Sequence, residues 1–172
     1  MANLILKSFK CVEETDEIGS DSPYFVIFHG NPTNPTAAKV RRIRKPAWDT
    51  TVDSGETVQA NSLAADGVST SSIVLVAFME EDNDPDFSSG DLTSIENNMR
   101  TFFTAFSASG TTPANKLTAQ MTLEFIKALI LRIENDDLCG IAPLKITTTS
   151  GLLPLLQFTG DGGMYRVQFR TE

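Results

Sequence analysis

Carboxylate side chains are concentrated in three short segments of this 172-residue sequence. They are residues 13–21, residues 80–86 and residues 135–140, the last of which contains Asp136 and Asp137. Like charges at this density repel one another unless a positive charge lies between them. Calcium takes about six to eight oxygen ligands in flexible loops, whereas magnesium keeps several of its waters. The segments therefore indicate a calcium site, and the alternative, that they are solvated turns, stays open.

Apolar runs flank the acidic segments and predict the strands that position them. Residues 24–28 follow the first segment, and residues 72–79 lead directly into the second. Both runs are rich in residue types that favour strands. Further strands are predicted over residues 4–12, 39–44 and 145–149, and in a hairpin around residues 159–163. Six or seven strands separated by turns predict a mainly β protein, an antiparallel β-sandwich.

Between the second and third acidic segments the periodicity becomes helical. Apolar residues at 92, 95, 99, 102, 103 and 106 predict one helix, which Asp91 or Thr93 could cap, the latter with Glu96 in a capping box. A second helix is predicted over residues 115–133, and its almost uniformly apolar surface predicts burial. We interpret residues 92–134 as a helical hairpin inserted into one domain of residues 1–172.

Four short motifs follow one another along the chain. Residues 16–26 read Asp-Glu-Ile-Gly-Ser-Asp-Ser-Pro-Tyr-Phe-Val, and residues 41–49 are a basic stretch that ends in Pro-Ala-Trp-Asp. The strand 72–79 precedes Asp82-x-Asp84, and the fourth motif is Asp137-x-x-Gly140. In this order they resemble the C-two domain, the calcium- and phospholipid-binding module first described in protein kinase C. The resemblance covers residues 4–146, with the helical hairpin inserted where that family has a short third calcium loop.

This resemblance implies a C-two-like sandwich and assigns roles to individual residues. The implied calcium ligands are Asp16, Asp21, Asp82, Asp84 and Asp137, with Glu81 and Asp136 as reserves. In that family the basic strand often contacts phosphoinositide head groups, which implies lipid contacts for Arg41, Arg42, Arg44 and Lys45. The alternative is that these basic residues pair with acidic residues on the protein's own surface.

The net charge and the absence of catalytic motifs limit which binding partners and which enzymatic activities are expected. A net charge of -8 and a pI of about 4.6 argue against nucleic acid, whose phosphates would be repelled. An anionic membrane surface remains a candidate because cations can neutralise the carboxylates first, and a protein partner is the other candidate. The sequence contains no Gly-x-Ser-x-Gly turn, phosphate-binding loop or dinucleotide fingerprint, so we expect no enzyme.

No signal peptide or membrane span is visible, so we expect a soluble protein that is cytoplasmic or exported without a recognisable signal. Cys11 and Cys139 suit a reducing compartment as buried thiols, although their pairing stays open.

We expect a module that attaches to an anionic membrane or a protein in a calcium-dependent manner. The alternatives are a calcium-independent interaction protein that docks through the hairpin and a membrane-targeting toxin component. Phe102, Phe103 and Phe106 could form such a docking face, but a core position is the favoured interpretation.

Overall fold

The chain forms two antiparallel β-sheets packed face to face, with two helices on the outer face of one sheet. The computed structural model describes residues 1–14, 22–44, 52–81, 87–108, 114–133, 136–160 and 162–172. Its elements are β1 (Ala2–Glu13), β2 (Pro23–Asn31), β3 (Asn34–Ile43), β4 (Thr57–Val58), β5 (Ser62–Val68), β6 (Ile73–Glu80), α1 (Ser89–Ala108), α2 (Ala114–Ile130), β7 (Asp137–Pro143), β8 (Gly151–Leu152), β9 (Leu156–Gly160) and β10 (Gly163–Thr171). The predicted mainly β sandwich is therefore confirmed.

The two sheets differ in connectivity. The four-stranded sheet has the order β3-β2-β6-β7. The six-stranded sheet is built around β1 and β10, with β4 and β5 bonded to β1, and β8 and β9 bonded to β10. β1 and β10 pair along most of their length, and Asn3 and Glu172 exchange two backbone hydrogen bonds beyond the ladder.

Aromatic side chains fill the space between the sheets. Phe78 of β6 is fully buried, and its ring lies 5.1 Å from that of Phe25, 5.5 Å from that of Phe158 and 4.4 Å from that of Tyr165. Offset and edge-to-face aromatic contacts of this kind add to the free energy gained by apolar burial. All eight residues of β6 are buried because the second sheet covers one face and the helices cover the other.

Both helices pack on the outer face of the four-stranded sheet. Phe103 of α1 and Phe125 of α2 lie against Phe28 of β2, with ring centroids 5.7 and 6.3 Å away. α1 begins three residues earlier than predicted, because Ser88, and not Asp91 or Thr93, caps it. The hydroxyl of Ser88 accepts a 3.1 Å hydrogen bond from the Asp91 backbone, and the Asp91 carboxylate accepts one from the Ser88 backbone.

Three sequence expectations about local structure are wrong. Residues 145–149 form no strand, although alternate side chains such as Ile146 still enter the core. The strand β3 begins at Asn34, five residues before the start of the strand predicted over residues 39–44. The helix α2 is not buried all round, because only one of its faces meets the sheet, and Leu123 and Ile130 are each more than half exposed.

Candidate metal site

Strand register brings the flanks of the three acidic segments to one end of the four-stranded sheet. Pro23 of β2 lies opposite Glu80 of β6, and Glu80 lies opposite Asp137 of β7. β2 therefore begins, β6 ends and β7 begins side by side. β3 finishes at the same end, where Ile43 lies opposite Phe25. We call this region, residues 22–24, 42–44, 80–81 and 136–137, the acidic end.

Backbone and carboxylate bonds connect the first two flanks. The Ser22 amide donates a 2.8 Å hydrogen bond to Oε1 of Glu80, and the Glu81 amide donates a 3.1 Å bond to the Ser22 carbonyl. Glu80 is buried, with 4% of its surface exposed. A buried carboxylate needs such donors because its charge has lost water. The Glu80 carboxylate is thus held beside Ser22, which follows the first acidic segment, and at the start of the second acidic segment.

A second buried carboxylate belongs to the third flank. The Tyr24 hydroxyl donates a 2.5 Å hydrogen bond to Oδ2 of Asp136, which is 1% exposed. Tyr24 is itself fully buried beneath the helices, in edge-to-face contact with Phe87. The Tyr24 hydroxyl therefore fixes the position at which β7 enters the sheet.

Only part of the predicted ligand set lies within the described residues. Asp16, Asp21, Asp82 and Asp84 lie outside them, as does the basic residue Lys45. The structure brings together Asp137 and the reserve ligands Glu81 and Asp136. Within the described ranges, no group of three or more His, Cys, Asp or Glu residues could hold a metal ion. The ligand set therefore stays a prediction.

Two residues of this end were missed as site residues by the sequence analysis. The sequence assigns no site role to Glu80, which is one of several acidic residues in its segment, or to Tyr24, which belongs to the motif of residues 16–26. The information that identifies them is the strand register. A tyrosine at the start of one strand can reach a carboxylate at the start of another strand only if both strands begin at the same end of the sheet. No single segment of sequence carries that information.

The basic residues of β3 divide between the two faces of the sheet. The guanidinium of Arg42 donates to the Phe87 carbonyl on the helix side, whereas that of Arg41 donates a 3.1 Å bond to the Leu63 carbonyl of β5. Arg44 lies 3.8 Å from Glu81 at the acidic end. Burial, and then the nearby Arg44, lower the pKa of Arg42, while Tyr24, Glu81 and Asp136 act in the opposite direction. At least Arg44 therefore contacts the protein's own acidic residues.

The donors of the acidic end suit a hard cation. Carboxylate, hydroxyl and carbonyl oxygens are the ligand atoms that calcium prefers. One guanidinium beside Glu81 offsets part of the negative charge, but the adjoining segments contribute further carboxylates in the sequence. The described residues of the acidic end thus offer oxygen atoms of the kind that calcium binds, but they do not form a complete ligand set by themselves.

Cys11 and Cys139 are both buried in the core between the sheets. Of the two helices described, neither is long and apolar enough to cross a bilayer. Comparison with protein-family models found no matching family, and comparison with curated proteins found no match.

Proposed function

We propose that this protein is a calcium-binding β-sandwich module of the C-two type. The ion would be held between the three acidic segments, with ligands from Asp16, Asp21, Asp82, Asp84 and Asp137, and with Glu81 and Asp136 in reserve. The observation that supports this proposal is the register that puts Pro23, Glu80 and Asp137 side by side. Segments that are distant in the sequence thereby leave the sheet at one place.

The bound ion would act as a charge switch. Without it, the carboxylates of the acidic end repel an anionic surface, and with it they are neutralised and the ion offers open coordination positions to phosphate oxygens. Arg44 belongs to this end, where a cationic side chain adds about 1 kcal/mol of attraction to an anionic leaflet. The module would thus attach to an anionic membrane, or to an acidic protein surface, when calcium is present.

Calorimetric titration tests the metal proposal directly. Calcium is titrated into the wild type, the Asp82→Asn/Asp84→Asn double variant and Asp137→Asn. Asp66→Asn is the matched control, because Asp66 belongs to β5, beyond the opposite end of β2. We expect saturable heat in the wild type and the control and strongly reduced heat in the other two. Equal heat in all four proteins would show that the ligand assignment is wrong.

Vesicle sedimentation tests the attachment step. Vesicles of phosphatidylcholine with and without phosphatidylserine are mixed with the protein in calcium and then in chelator. Pelleting only with phosphatidylserine and calcium is the expected result. Calcium binding without pelleting would leave a metal site whose role is structural or directed at a protein.

The helical hairpin supports a second candidate function, calcium-independent docking of a protein. Phe102 of α1 is 41% exposed, and three apolar residues at or just beyond the last turns of α2 are more exposed, namely Leu123, Ile130 and Leu131. Apolar exposure of this kind marks many interaction surfaces. Light scattering after size exclusion tests it: an oligomer that persists in chelator and dissociates in Leu123→Ser/Ile130→Ser would favour docking over the calcium module.

A further inference from the structure

A buried histidine lies at the end of β2 opposite to the acidic end. His29 is 8% exposed, and neither of its ring nitrogens has a hydrogen-bond partner among the described residues. Its register neighbours are Lys39 of β3 and Val74 of β6. Buried polar groups in native proteins are almost always hydrogen-bonded, so an imidazole in this situation needs an explanation.

Two polar contacts close the edge of the sandwich over His29. Nζ of Lys39 lies 3.2 Å from both carboxylate oxygens of Asp66, and Arg41 donates its 3.1 Å bond to the Leu63 carbonyl. Both contacts join β3 of the four-stranded sheet to β5 of the six-stranded sheet. We call these two contacts the seam.

Two pockets that open to the surface border His29 and leave incompletely filled space beside the seam. One of about 110 Å³ and one of about 350 Å³ are both lined by His29, Lys39 and Asp66. A water molecule occupies about 30 Å³ in the liquid, so both cavities are large enough for water. The imidazole therefore has room to be hydrated if the seam opens.

The charged groups that face His29 come from three elements and from the amino terminus. They are Lys39 and Arg41 of β3, Asp66 of β5, Glu96 of α1 and the terminal residue Met1. Both acids are already engaged, Asp66 with Lys39, and Glu96 with Arg100 and the Val40 amide. A proton on His29 would put a new cation next to Lys39 and make the two compete for Asp66.

We propose that His29 is a proton-sensitive switch of the seam, such that proton uptake in mildly acidic solution separates β3 from β5 and opens this edge of the sandwich. The inference is independent of calcium, because the acidic end lies at the other end of β2. The chain contains a single histidine, so one residue accounts for the whole switch.

Burial lowers the pKa of His29, Asp66 acts in the opposite direction, and Lys39 adds a smaller lowering. The unfolded chain therefore binds the proton more readily than the folded one. Stability from the neutral imidazole is complete above the unfolded pKa, about 6.5, and is lost as the pH falls towards the lowered value. Opening is thus expected below about pH 6.5 and not above it.

Proton NMR of the one imidazole tests the electrostatics. We expect the wild-type ring to titrate below the ordinary histidine value of about 6.5. Asp66→Asn should lower its pKa further, and Lys39→Met should raise it. Titration of the wild-type ring at or above the ordinary value would overturn the proposal, and so would shifts of the opposite sign in the two variants.

Hydrogen exchange at pH 7.5 and 5.5, corrected for intrinsic rates, tests the opening. The wild type should lose amide protection in β3 and β5 at the lower pH, while β1 and β10 stay protected. His29→Leu and His29→Gln cannot take up the proton and should keep their protection, and the use of two variants guards against a folding defect in one. Equal loss in wild type and a folded variant, or no loss in the wild type, would refute the switch.

Discussion

The hydroxyl of Tyr24 donates a 2.5 Å hydrogen bond to the carboxylate of Asp136, and both residues are buried. The bond spans 112 positions of the sequence and ties the start of β2 to the start of β7. These two strands are not neighbours, because β6 lies between them. The bond therefore fixes the relative position of the first residues of β2 and β7 independently of the backbone ladder.

Removal of this hydroxyl should destabilise the protein. Tyr24→Phe keeps the ring but takes one donor from a buried carboxylate, so we expect the free energy of unfolding to fall by about 1–3 kcal/mol. Urea denaturation of Tyr24→Phe, Asp136→Asn and the double variant measures it. The double variant should cost less than the sum of the single variants, since they remove the same bond. Simple additivity would show that the two groups do not interact in solution.

Phe78 should be among the most sensitive positions of the core. Phe78→Ala removes a ring in contact with Phe25, Phe158 and Tyr165, and we expect a loss of about 3–5 kcal/mol in the free energy of unfolding. Phe102→Ala is the matched control, because Phe102 is partly exposed. Its ring centroid lies 6.2 Å from that of Phe106. Its cost should stay below about 1 kcal/mol. Comparable losses in chemical denaturation would contradict the placement of Phe78.

The cap of α1 should show in both stability and pH dependence. Ser88→Ala should lower the free energy of unfolding by about 1 kcal/mol at neutral pH, whereas Thr101→Ala, in the exposed middle of the helix, should change it by less than about 0.5 kcal/mol. The Ser88 side chain is the largest cause that lowers the pKa of Asp91. That contribution is present above the unfolded pKa of 3.8 and is lost as the pH falls through the lowered value. Urea titrations at pH 7 and 3 should therefore find a smaller Ser88→Ala effect at pH 3.

Calcium should raise thermal stability if the acidic segments bind it. At a free concentration 100 times the dissociation constant, the expected gain is about 2.7 kcal/mol. Thermal melts in calcium, magnesium and chelator measure it, with calcium giving the largest rise in Tm. Asp82→Asn/Asp84→Asn should melt at the same temperature in calcium and in chelator. A calcium-induced rise in this variant as large as in the wild type would place the ion elsewhere.

Local sequence patterns predicted the strands with the strongest apolar runs. The runs at residues 24–28 and 72–79 became β2 and β6, because both of their faces are covered and every position favours burial. Residues 145–149 were also predicted to form a strand, and they form none. Leu144 and Ile146 still fill the core, and the Leu144 amide donates to the Val74 carbonyl, but the ladder stops there. Alternation of apolar and polar side chains indicates which side chains are buried. It does not indicate whether a neighbouring strand is present to form backbone hydrogen bonds.

The candidate site was only partly accessible to such reasoning. The acidic segments are visible as charge, and strand ends that face one another follow from antiparallel pairing once the order of strands is known. That order, and hence the contacts of Tyr24 and Glu80, depends on long-range packing that no window of sequence contains. The same holds for His29, whose burial depends on β5 covering it.

The pairing of β1 with β10 has a consequence for biogenesis. During synthesis, β1 emerges long before β10, so Leu4, Leu6 and Phe9 cannot be fully enclosed until residues 163–171 have also left the ribosome. Contacts this distant in sequence slow folding, and the nascent strand offers an unsatisfied apolar edge throughout the delay. A longer exposure of that edge should therefore favour aggregation over folding to the native state.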